Sequence, residues 1–274
     1  MTGIVNPLRV LVTILFLVLA GSLILPWQIE LQHLDRSARL RSATLDLGLR
    51  ERVGQAGFLA ALSGFRAPLA AFLWISAHAA WERTEWGKMV TLFDSVTALQ
   101  PRVLLYWDIA AWHMAWNASA SALQDLTQPS EALRERSARQ YVALGRDFLE
   151  RGIRNNPDDY HLYESLGRLA AAKELNHAAA SDAYAKAASF TNAPAYLSRL
   201  AAFESSESPG RQREAYQRLL SLYRSGKQQR VPTLFKLLHE LELKLDIPED
   251  QRIHDTIPEA PSNVPPASPS ITPR

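Results

Sequence analysis

The chain has 274 residues, enough for one sizeable domain or two small ones, and its 30 basic and 28 acidic side chains leave a formal charge of +2. The charges are interleaved, as in ALRERSAR (residues 132–139), which is the pattern of solvated helix faces rather than the one-sided positive charge of a nucleic-acid binder. Cysteine is absent, which excludes disulfides, thiolate metal sites and cysteine nucleophiles without fixing the compartment.

The first element is VLVTILFLVLAGSLILP, residues 10–26, an uncharged run between Arg9 and Trp27. Seventeen residues rising 1.5 Å each give about 25 Å, close to the lower limit of a spanning helix. A cleaved signal peptide is the rival reading, with residues 10–19 as its apolar core and Ala20-Gly21-Ser22 at the cleavage site. The run continues through Leu23, Ile24 and Leu25, and Trp27 is a typical interfacial residue, so a retained anchor over residues 1–27 is preferred. Arg36, Arg39 and Arg41 offset Arg9, so charge does not decide orientation. A short N-terminal tail before a following domain reads most simply as N-in, which places the rest of the chain in the periplasm of a bacterium, held at the inner membrane by one span.

Residues 28–58 read as an amphipathic connecting helix interrupted by Gly48 and Gly54. Residues 59–246 read as a helical domain, all-α and alanine-rich, punctuated by Pro101, Pro157, Pro194 and Gly210. Residues 247–274 read as a disordered, proline-rich tail. Its last part, IPEAPSNVPPASPSITPR, has six prolines and no aromatic, and too little apolar surface to offset the entropy of ordering.

Within the domain the segment YESLGRLAAAKELNHAAASDAYAKAASF, residues 163–190, carries a large residue, Tyr163, ahead of the pair Leu166-Gly167. Ala180, Tyr184 and Ala187 follow as a small–large–small triplet, one residue late. Counting back from Pro157 gives Gly145, Leu149 and Gly152 at the same spacing, and counting back from Pro101 gives Met89, Phe93 and Val96. A last unit between Pro194 and Gly226 supplies Ala215, Leu219 and Leu222, and residues 231–245 would form a capping helix. On these residues the chain resembles the tetratricopeptide repeat (TPR) family over about residues 67–245, a membrane-anchored envelope type. The resemblance implies an α-solenoid of about four helix pairs. Pro101 and Pro157 stand 56 residues apart, about 22 more than one repeat, and the extra residues are expected to lengthen both helices and form a turn near Pro129.

Six of the seven tryptophans lie between residues 74 and 116. With Leu73, Ala77 and Ala80 facing the partner helix, the resemblance implies that Trp74, His78, Trp81 and Glu82 line a concave groove in which peptides bind. Taking Trp107 as the first packing residue of the next helix directs Asp108, Trp112 and Trp116 to the same groove. A shift of one residue would instead bury Trp112 and send His113 inward. In the third unit His161, Glu164 and Arg168 take the equivalent positions. Aromatic residues at such spacing are also the signature of a core, and tryptophan supplies a large buried area. The adopted reading is mixed: a packing seam between the first two helix pairs, with some indole edges exposed to a partner. Trp81 is expected to be partly exposed, since Glu82, Arg83 and Glu85 mark a wet helix end, and Trp112 to be buried among Ile109, Ala110, Ala111 and Ala115.

No chemistry-bearing motif accompanies this cluster. GxSxG, a phosphate-cradling loop, GxGxxG and HExxH are all absent, and His78 and His113 lie on separate helices, so no haem or metal box is read. His161-x-x-Glu164 could join a metal site, but among Tyr, Arg and Ser a solvated polar face is preferred. The expected function is therefore a membrane-anchored scaffold or adaptor mediating protein–protein interaction in an envelope assembly. It needs no cofactor, catalytic residue or nucleic acid, and no small-molecule substrate is evident. The alternative is a helical envelope enzyme with its site in the Trp/His cleft.

Overall fold

A computed structural model describes residues 54–55 and 64–255. The expected anchor, nearly all of the connecting segment and residues 256–274 lie outside the described residues. Among the described residues the protein is all-helical with no strand, and no helix is long and apolar enough to cross a membrane.

Among the described residues nine helices follow one another. They are α1 (Arg66–Glu82), α2 (Trp86–Leu99), α3 (residues 104–124), α4 (Glu131–Asn155), α5 (His161–Ala172), α6 (His177–Ala188), α7 (Tyr196–Glu207), α8 (Gln212–Ser225) and α9 (Pro232–Lys244). The expected punctuation operates locally. α2 stops before Pro101 and α4 stops before Pro157, because proline disfavours helical geometry in the residue ahead of it. The two stops are joined: the carbonyl of Pro101 accepts from Trp107 Nε1 at 3.0 Å and from Asn156 Nδ2 at 2.9 Å. Asn176 caps α6 by accepting from the Ala179 amide at 3.0 Å, and Pro232 opens α9 where a missing amide costs nothing. The extra residues between Pro101 and Pro157 extend α3 to Gln124, form a turn at Asp125–Gln128 just before Pro129, and lengthen α4 to 25 residues.

Connections are short, and each helix packs chiefly on its neighbours in the chain, with α3 also touching α5 and α7 also touching α9. The core falls into three clusters. One joins α1 to α5 around Phe93, Trp107, Phe148 and Leu162. A second lies among α5, α6 and α7 around Tyr184 and Leu197. A third lies among α7, α8 and α9 around Leu219, Leu234 and Leu238. Small residues set the helix spacing. A Cβ on Gly145 would meet the Ala111 carbonyl oxygen and the Ala115 Cβ at 2.8 Å, and one on Gly167 would meet the Tyr184 ring at 2.8 Å. Residues 247–255, which the sequence reading put in the tail, fold back on α8 and α9. Ile247 and Ile253 join the third cluster, and the Ile253 amide donates to Glu242 at 2.9 Å.

α3 has an irregularity that aims its side chains. Its buried residues are Trp107, Ala110, Ala111, Met114, Ala115, Ala118 and Ser119, two rows that repeat every four residues. In a regular helix a four-residue step overshoots a full turn by about 40°, so three steps would carry Ser119 about 120° away from Trp107. Residues His113–Ala118 are π-helical, and the Ser119 amide reaches back five residues to the Met114 carbonyl. The wider turn removes the drift. It also keeps Asp108, Trp112 and Trp116, another four-residue row, on one line.

Candidate binding cleft

That row forms one wall of a cleft of about 340 Å³ lined by Asp108, Ile109, Trp112 and Trp116 of α3 and by Arg168 of α5. Trp112 is 43% exposed. This corrects the expectation that it is buried. Its sequence neighbours Ala110, Ala111 and Ala115 do face the core, but at about 100° per residue adjacent positions look in different directions. Trp107 is the buried indole of this helix, 3% exposed. Trp116 is partly buried, with the Lys173 ammonium 5.5 Å from its ring centroid.

The polar rim is organised by a buried hydroxyl. Ser165 donates to Asp108 Oδ1 at 2.6 Å and accepts from Arg168 Nη2 at 2.9 Å, and Arg168 lies 3.9 Å from Asp108. Sequence reasoning named Asp108 and Arg168 but missed Ser165, Ile109 and Lys173. The α3–α5 contact that unites them is tertiary and leaves no mark in local spacing.

The α1 residues form a second group. Trp74 packs inward, 5.6 Å from Phe93 and 4.9 Å from Tyr106 between ring centroids. Trp81 is partly buried, 5.2 Å from His78 and 5.5 Å from His113. His78 and Glu82 are exposed and pair at 3.7 Å. His113 links this group to the cleft, since its ring stands 5.1 Å from Trp112. It is set between aromatic rings, and its Nδ1 lies 3.0 Å from Asn117 Nδ2. Burial, with His78 nearby, pulls its pKa down to about 4, so it is neutral at ordinary pH.

The remaining candidates lie elsewhere on α5. His161 turns back to Asp159 at 2.7 Å and stacks on Tyr160, while Glu164 accepts from Tyr196 Oη of α7 at 2.7 Å. That bond pushes the Tyr196 hydroxyl up to about 12. The structure therefore does not place His161 and Glu164 in the cleft lining, and their side chains hold two different partners. Among the described residues no group of three His, Asp or Glu side chains is arranged to hold a metal ion. No family model matches the chain, and no curated protein matches it in sequence.

Proposed function

We propose that the protein is a membrane-anchored scaffold or adaptor of TPR-like, solenoid architecture, and that it holds a protein partner in a bacterial envelope assembly. The observation that carries this reading is the aromatic and charged strip shared by α1 and α3, where His78, Trp81 and Glu82 stand beside His113 and Trp112. Indole and charged side chains at half-exposed positions are what protein interfaces use as anchors. Neighbour-on-neighbour packing, the close approach at Gly167 and Tyr184, and a closing helix α9 are the features a stacked repeat needs.

Affinity capture from membranes with the full chain tests it. Trp81→Ala is expected to keep the helical signal and lose a partner that the unaltered chain retains. Equal capture by both would remove the strip from the proposal. Alkaline carbonate washing and N-terminal sequencing test the anchor, and a mature chain that begins near Leu23 would overturn it.

A further inference from the structure

The α3–α5 cleft differs in chemistry from the strip beside it. Five of the six described tryptophans are buried or partly buried with a partner for the ring or N–H: Trp74 with Phe93 and Tyr106, Trp81 with His78 and His113, Trp86 with Ser121, Trp107 with Pro101 and Trp116 with Lys173. Trp112 makes one ring contact among the described residues, to His113, at an interplanar angle of 74°. It leaves a broad apolar surface in water at the mouth of a cleft.

Beside that surface, one turn earlier on α3, stands one acceptor, Asp108, and across the cleft on α5 stands one donor, Arg168. Both are oriented by the same Ser165 hydroxyl, which is itself buried. Their charges cancel at 3.9 Å, so a strongly acidic ligand meets Asp108 and a strongly basic one meets Arg168. The walls are helices, whose main-chain amides and carbonyls are already bonded, so an extended peptide finds no edge to pair with. A neutral ring with an apolar face and hydroxyls at its rim suits the Trp112 face and the Asp108–Arg168 pair, while the Lys173 ammonium stays over the Trp116 ring. The hydroxyls both give and take hydrogen bonds, matching an acceptor and a donor together. At about 340 Å³ the cleft lies at the small end of the roughly 300–1,000 Å³ range of ligand sites.

We propose that this cleft binds a neutral saccharide, with one sugar ring lying on the Trp112 indole and its hydroxyls held by Asp108 and Arg168. The site borders the partner strip at Trp112, but that strip is tested at Trp81 on α1, which is not in the cleft lining, so either proposal can fail alone.

The test uses the full chain in a polyoxyethylene detergent, because alkyl glycoside head groups would compete. Maltohexaose, cellohexaose and N-acetylated chitohexaose are titrated, with tryptophan emission and calorimetry as readouts. At least one is expected to bind saturably. Trp112→Ala should weaken that binding by about tenfold or more, Trp112→Phe by less, and Asp108→Asn and Arg168→Gln by intermediate amounts. Leu126→Ser, on an exposed turn, should leave it unchanged. Circular dichroism confirms that each variant is folded. Absence of saturable binding by all three sugars, or equal affinity in folded Trp112→Ala, overturns the proposal. So does binding of hexaglutamate or hexalysine with none of the sugars, which would assign the cleft to a charged peptide.

Discussion

Two tryptophans five residues apart on one helix have opposite roles. Trp107 is buried with its N–H bonded to Pro101, so Trp107→Ala should cost about 3–5 kcal/mol in urea denaturation. Trp112 is 43% exposed, and Trp112→Ala should cost distinctly less than that. Equal losses would mean that both indoles are core. His113 gives a pH dependence whose sign follows from its surroundings. Unfolded, it takes a proton near 6.5; folded, only near about 4. Between those values the unfolded chain binds more protons, so stability falls as pH drops through that window. Half-burial reduces the size of the effect but not its direction. The melting midpoint should be lower at about pH 5 than at about pH 7.5, and His113→Gln should narrow the gap. Of the two registers for α3, one directs Trp112 to the groove and the other buries Trp112 and sends His113 inward. The sequence could not choose between them, because a uniform 3.6-residue period cannot follow a helix whose turn widens midway.

At the level of whole helices, proline punctuation and small-residue spacing are legible in the sequence. Met89, Phe93 and Val96 on α2, Gly145, Leu149 and Gly152 on α4, and Ala180, Tyr184 and Ala187 on α6 are all buried where spacing put them. The π-helical stretch and the ion pairs between helices were not legible, since both depend on contacts across elements. Arg146 of α4 makes a two-pronged pair with Glu174 after α5, and Arg211 grips Asp182 of α6 at 2.6 and 3.2 Å. The Arg146 pair is mostly shielded from solvent, and its hydrogen bonds hold the guanidinium pKa above its ordinary value. Glu174→Gln should therefore lower stability by about 1–3 kcal/mol in chemical denaturation. Glu135→Gln removes an exposed partner of Arg139 within α4 and should cost under about 0.5 kcal/mol. Comparable losses would show that the Arg146 pair is no stronger than a surface one.

For the molecule as a whole, the described fold continues past the end of α9 through the Ile253–Asp255 segment. Composition alone put residues 247–274 together, because Pro248, Glu249 and Asp250 look like the start of a tail. The apolar Ile247 and Ile253 on either side are what fold it back. A chain ending at Asp255 should melt with the full chain, whereas one ending at Leu245 should lose about 1–3 kcal/mol with its two isoleucines and the backbone bond to Glu242. The three separate core clusters carry a further consequence. With contacts mostly between neighbouring helices, opening α8 and α9 exposes the third cluster and leaves the first intact. Native-state amide exchange should then resolve at least two cooperative units, with α8 and α9 opening at lower free energy than α2 and α4. A chain fixed near its first helices and loaded at its last would thus yield stepwise from the loaded end, keeping the Trp-bearing helices folded longest.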